Sequence, residues 1–341
     1  MRRWSRSLQI SFALIGIGGL LSSGIALGWT REEAQARRVR PGRRLEPPGG
    51  ERSQRSPRSE QAPGSSSEVI SLHSDLVLVA VSVIGPRGEW LTGLGPEDFE
   101  VLEDGVPQQI AFFSGEAGLP LRLVIVFDTS LSVKSHLEFE KQAVARFFRS
   151  VMRPRDLAAL ISVSTEAVLR QGFTDDVAQL IASVRGLKAE GATALYDALV
   201  MAAEYLSSVE GRRAVLVLSD GRDTISRATL AQAVRRVQEV GATLYAINVE
   251  EPISANVREL IGETALEILA RQTGGEVFSP THLEEVDSAF ARLAEHLRRQ
   301  YVLGFYSTNE ARDGTFRRLT VRVKREGAIA RAREGYYAPK R

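Results

Sequence analysis

The apolar positions change period along the chain, and each change predicts a different kind of structure. An apolar run from Leu8 to Trp29 follows Arg2, Arg3 and Arg6 and is broken only by small or weakly polar residues. A basic start followed by such a run is a secretory signal or an N-terminal anchor rather than part of a fold. Its length is close to the ~20 residues that span a bilayer as a helix. Ala34-Gln35-Ala36 offers a small-x-small cleavage site. Residues 1–30 are therefore expected to direct export. Residues 31–67 hold Arg, Glu, Pro, Gly, Ser and Gln with almost nothing apolar. Such a segment buries too little surface to offset its ordering entropy, so a disordered tether is expected there.

From residue 68 to 117 the pattern is that of strands. Leu76, Leu78, Ala80, Ser82 and Ile84 alternate with Val77, Val79, Val81 and Val83, so both faces are expected to be covered. Asp104-Gly105, between Phe99–Leu102 and Pro107–Phe113, predicts a hairpin. So short a segment needs a partner surface. Residues 301–341 offer Tyr301–Tyr306, Arg318–Val323 and Tyr336-Tyr337, so the two flanks are expected to form one β module.

Between them, over 119–300, strand and helix patterns alternate. Strands are predicted at Leu121–Phe127, Leu157–Val163, Ala167–Gln171, Ala214–Leu218, Thr243–Val249 and Val277-Phe278. Helical spacing covers His136–Met152, Val177–Val184, Ala194–Leu206, Leu230–Val240, Ile261–Thr273 and Leu283–Arg299, with Gly274-Gly275 as a stop. Uniformly apolar strands alternating with helices imply an α/β fold with a mostly parallel sheet covered on both faces. Ligands of such sheets bind at the carboxyl ends of the strands.

Composition narrows the chemistry. The 341 residues contain no cysteine, which removes disulfides, thiolate metal sites, cysteine nucleophiles and a lipidated cysteine. Four histidines, at 73, 136, 282 and 296, show no HExxH spacing. The net charge of +2 divides unevenly: residues 1–62 hold 12 Arg and five Glu, a charge of +7, which leaves −5 for the remaining 279. The globular part is mildly acidic, so no nucleic-acid partner is expected, and the basic front end allows a membrane contact. No GxxxxGK loop occurs. His136 lies four residues beyond Ser132, on the first helix, where it is expected to point away from a serine nucleophile. The expectation is a protein that is not an enzyme, although metal-assisted hydrolysis needs only an ion and carboxylates.

The candidate chemistry lies at the strand ends. The first central strand runs into Asp128-Thr129-Ser130-Leu131-Ser132, of the form DxSxS, and the strand Val215–Leu218 runs into Ser219-Asp220-Gly221. Gly191-Ala192-Thr193-Ala194-Leu195 precedes a helix. Each piece alone has an ordinary reading as a turn or helix cap. Together they put hydroxyls and carboxylates on one edge of the sheet. Hard oxygen donors of this kind suit magnesium or a similar divalent ion. Arg222 and Lys134 read as solvated rim charges, and Asp223 as a loop residue outside the donor set.

DTSLS, the threonine of GATAL and the aspartate of LSDGRD resemble the metal-ion-dependent adhesion site of von Willebrand factor A domains. Phe99–Gly105 and Gly335–Pro339 resemble the flanks of an exported, acidobacterial group of such proteins. The resemblance implies a Rossmann-like, doubly wound domain over 119–300. Ser130, Ser132 and Thr193 would offer hydroxyls to the ion, and Asp128 and Asp220 would bind it directly or through water. It further implies Mg2+, or Mn2+ or Ca2+, and a protein ligand that offers Asp or Glu to the metal. A structural envelope protein with a vestigial site, or a metal-assisted hydrolase, are the alternative readings.

Overall fold

A computed structural model describes residues 75–116, 118–248 and 257–340. The export segment at 1–30, the tether at 31–67 and the basic front end lie outside the described residues. So does Val249, the expected end of the strand that begins at Thr243.

The order of elements begins with β1 (Leu76–Ile84), β2 (Phe99–Glu103), β3 (Val106–Gln108) and β4 (Ile110–Ser114). The central part runs β5 (Leu121–Asp128), α1 (Leu137–Val151), β6 (Leu157–Val163), β7 (Ala167–Thr174), α2 (Val177–Arg185), α3 (Leu195–Ser207) and β8 (Arg212–Leu218). It continues through α4 (Leu230–Glu239), β9 (Thr243–Ile247), α5 (Val257–Thr273), β10 (Val277–Phe278) and α6 (Leu283–Arg298). The chain closes with β11 (Tyr301–Tyr306), β12 (Phe316–Val323), β13 (Ile329–Arg331) and β14 (Gly335–Tyr337).

The central sheet has the order β10-β9-β8-β5-β6-β7. All neighbours are parallel except the edge strand β7, which is antiparallel to β6. Successive side chains of a strand point to opposite faces, and both faces are covered here. Leu121, Leu123, Ile125 and Phe127 of β5 pack with α1, α2 and α6, while Val124 and Val126 pack with α3, α4 and α5. This is an α/β Rossmann-like, doubly wound architecture. The chain leaves β5 toward β6 on one side and returns to β8 on the other. The strand order therefore reverses at the β5/β8 boundary, where a crevice opens at the carboxyl ends.

Local chemistry fixes the helix starts. Asp176 caps α2 by accepting from the Ala178 and Gln179 amides at 2.8 and 3.2 Å. Thr229 and Gln232 exchange side-chain to backbone bonds at the start of α4.

The flanks pair with each other in two four-stranded sheets, β13-β1-β11-β4 and β14-β12-β2-β3. Val79, Val81, Phe99, Val101, Tyr301, Leu303 and Phe305 form their common core. The expectation that both faces of the first strand are covered needs correction. Leu76 and Leu78 are 38% and 37% exposed, because the first half of β1 borders a solvent-open cavity of about 590 Å³.

Candidate metal centre

β5 and β8 are neighbours in register, Phe127 opposite Leu218. Their ends therefore deliver Asp128 and the turn Ser219-Asp220 side by side. Asp128 is fully buried. Its Oδ1 accepts from the Ser130 amide at 2.8 Å, and its Oδ2 accepts from the Ser219 hydroxyl at 2.8 Å. Burial pushes the Asp128 carboxyl up, and the Asp220 charge pushes in the same direction against these hydrogen bonds. The two carboxylates thus share one electrostatic environment.

The chain after Asp128 enters a short 3-10 turn at Leu131–Val133. Ser130 is buried and Ser132 exposed, with their hydroxyls 2.8 Å apart. The Leu131 amide donates to the Gly191 carbonyl at 3.2 Å, which ties this turn to the loop carrying Thr193. Thr193 is buried and held by backbone. Its amide donates to Thr224 Oγ1 at 3.0 Å, and its carbonyl accepts from the Thr224 amide at 2.9 Å. The Thr224 segment follows directly from Asp220. All three loops are therefore linked, and they gather the five expected residues at one edge of the sheet.

Asp220 is buried and paired, which corrects the reading of Arg222 as a solvated charge. Arg222 Nε donates to Asp220 Oδ2 at 2.7 Å, and the Arg222 amide to Oδ1 at 2.8 Å. The turn between them has Gly221 at φ +79°, a left-handed conformation that folds Arg222 back onto Asp220. Lys134 is exposed. Asp223 lies outside the donor set: its Oδ1 accepts from the Tyr196 amide at 3.2 Å and from the Ser226 hydroxyl at 2.5 Å, which anchors the start of α3.

Two residues join the site that sequence reasoning missed. Ser219 orients Asp128, and the only sequence signal for it was its place beside Asp220. Glu140 of α1 is fully buried with neither carboxyl oxygen hydrogen-bonded. Burial first, then the charges of Asp128 and Asp220, push its carboxyl up to about 8. Its signal was a polar residue on an apolar helix stripe, three after Leu137 and four before Val144.

The residues present suit a hard divalent ion. Their donors are carboxylate and hydroxyl oxygens, and the unmet oxygens of Glu140 mark a demand for a cation or water nearby. Among the described residues, no three acidic or histidine side chains come close enough to hold an ion by themselves. Hydroxyl donors are then needed to complete a coordination sphere.

Residues 123–222 match the family model described as von Willebrand factor type A domain. The chain carries a von Willebrand factor type A domain. That matched stretch begins in β5 and ends just past Asp220. No curated protein is similar enough to count as a relative. Solved structures resemble the von Willebrand factor type A domain at low identity. Conserved hypothetical protein BatB from Bacteroides thetaiotaomicron is 17% identical, over 52% of this chain and 97% of that one, with a TM-score of 0.45. A von Willebrand factor type A protein from Catenulispora acidiphila is 13% identical, over 78% and 74%, with a TM-score of 0.46. Proximal thread matrix protein 1 from the mussel byssus, with a zinc-occupied MIDAS motif, is 14% identical, over 57% and 49%, with a TM-score of 0.47.

Proposed function

We propose that this protein is an exported binding module, not an enzyme, which captures an acidic side chain of a protein partner through a divalent cation. The observation that supports the reading is that the loops carrying Asp128, Ser130 and Ser132, Thr193, and Asp220 are hydrogen-bonded together where the strand order reverses. When bound there, Mg2+ or a similar ion supplies a Lewis-acidic position open to a carboxylate. The roles of the chain's own residues follow from their chemistry. Asp128 and Asp220 supply negative charge, and Ser130, Ser132 and Thr193 supply neutral oxygens. With only two carboxylates in the donor set, an acidic partner group can still gain from the ion. Ser219 and the Ser130 amide hold the Asp128 carboxylate in one orientation.

The positions of the histidines support a binding role over a serine hydrolase. Among the described residues, His136 stands at the N-terminus of α1 with its ring beside Ser135, and His296 is packed against Ser82. His282, the third described histidine, precedes α6, and none of the three is hydrogen-bonded to Ser130 or Ser132. Export and an envelope or extracellular location rest on the N-terminal pattern of arginines before an apolar run.

The full chain is expected to bind MgCl2 or MnCl2 in calorimetry, and Asp128→Ala to abolish the signal. Peptides bearing Asp or Glu are expected to be retained in Mg2+ and released by EDTA, while Asn and Gln versions are not retained. Unchanged metal binding in Asp128→Ala sinks the site. Retention indifferent to EDTA favours a structural role, and turnover of an ester or phosphate substrate favours an enzyme.

A further inference from the structure

α1 packs Leu137, Val144, Phe147, Phe148 and Val151 into the core beneath the carboxyl edge of the sheet. Glu140 interrupts this stripe. A buried carboxyl group without hydrogen-bond partners is costly, and native structures seldom keep one. Here both oxygens lack a partner. The neighbouring cation does not help, because Lys141 turns to Glu138 at 2.7 Å. The charges that act on Glu140 are those of Asp128 and Asp220, both negative. A packed apolar residue would fill the same space without these costs. Positive charge and a hydrogen-bond donor between the three carboxylates would offset these costs.

Direct ligation by all three does not fit, since no three such groups among the described residues converge on one point. One water between Glu140 and an ion meets both requirements, and hydrated magnesium keeps such waters. Resting on the cation-site reading above, we propose that Glu140 is a positioning residue of that site. It accepts a hydrogen bond from a water on the divalent ion held by Asp128 and Asp220. The site then faces the ion with two carboxylates in the donor set and a third behind a water. Groups behind a ligand commonly govern affinity, changing it ~10- to 100-fold when removed.

The test compares the full-length wild-type chain with Glu140→Gln and Glu140→Met, using MgCl2 as the probe. Calorimetry is expected to show Mg2+ affinity at least about tenfold weaker in both variants. Without added cation, Glu140→Met is expected to melt above wild type, because the unmet carboxyl is gone. A purely structural role reverses this pattern, with a lower melting temperature and wild-type affinity. Wild-type affinity in both variants overturns the proposal and leaves the metal site standing. If Glu140→Met fails to fold, the affinity of the near-isosteric Glu140→Gln decides. A wild-type chain that takes up neither magnesium nor manganese overturns the site itself, and this inference with it.

Discussion

Arg222 shows how one residue sets the resting electrostatics of the candidate site. Its guanidinium lies on an oxygen of Asp220 that an incoming ion would also seek. The Arg222 side chain is 30% exposed and that of Asp220 only 6%, so solvent screens the pair in part and its worth is on the order of 1 kcal/mol. Arg222→Ala is accordingly expected to strengthen Mg2+ binding by roughly two- to fivefold, read by calorimetry. Weaker binding in the variant would show that Arg222 supports the site rather than competing for it. The loops that carry the proposed donors were legible in the sequence, because Asp128, Ser130, Ser132 and Asp220 lie within short motifs at strand ends. Arg222 and Glu140 were not. Reading Arg222 requires the left-handed turn at Gly221, and reading Glu140 requires the helix phase relative to the sheet.

At the scale of elements, the site depends on how closely α5 approaches the Asp220 loop. A β-carbon on Gly262 of α5 would stand 2.4 Å from the Asp220 carbonyl oxygen, and one on Gly221 would stand 2.3 Å from the Gly262 carbonyl oxygen. Backbone meets backbone, so neither side can yield by a rotamer change. Alanine at a free helix position gains ~1 kcal/mol over glycine. Gly262→Ala is expected to do the opposite, with a loss of about 1–3 kcal/mol from overpacking and weaker Mg2+ binding as the loop shifts. Chemical denaturation measures the first effect and calorimetry the second; a stabilised variant with normal binding removes α5 from the account. The elements were mostly legible, since β5, β6 and β8 are short apolar runs between clear helical periods. Their order in the sheet was not, because pairing is set by long-range packing. The exposure of Leu76 and Leu78 was equally hidden, because the one polar residue of the strand, Ser82, is itself buried and so does not mark which face lacks a covering layer.

At the scale of the whole molecule, the flanking strands meet the central domain through buried polar groups that link stability to pH. His296 of α6 is fully buried. Its Nε2 lies 2.6 Å from the Ser82 hydroxyl of β1, and its Nδ1 lies 3.3 Å from Glu276 Oε2. The Trp90 and Tyr245 rings pack on it at 4.4 and 5.0 Å between centroids. Glu276 is shared with Arg331 of β13 at 2.7 Å and with Arg292 of α6 at 3.7 Å. Burial lowers the His296 pKa from its ordinary 6.5; Glu276 opposes the shift, and Arg331 and Arg212 add to it. The imidazole is therefore neutral in the fold at neutral pH, while in the unfolded chain it takes up a proton as pH falls through 6.5. Protons favour the unfolded state in that window, so stability falls as pH drops below the unfolded value and levels off below the folded one. One group contributes at most about 1.4 kcal/mol per pH unit. Denaturant midpoints measured from pH 7 down to pH 5 are expected to decline in wild type and to decline less in His296→Gln. That variant keeps a donor for Glu276 and an acceptor for Ser82 but cannot titrate. Equal slopes in the two proteins would assign the acid sensitivity to other groups and leave His296 as a packing residue.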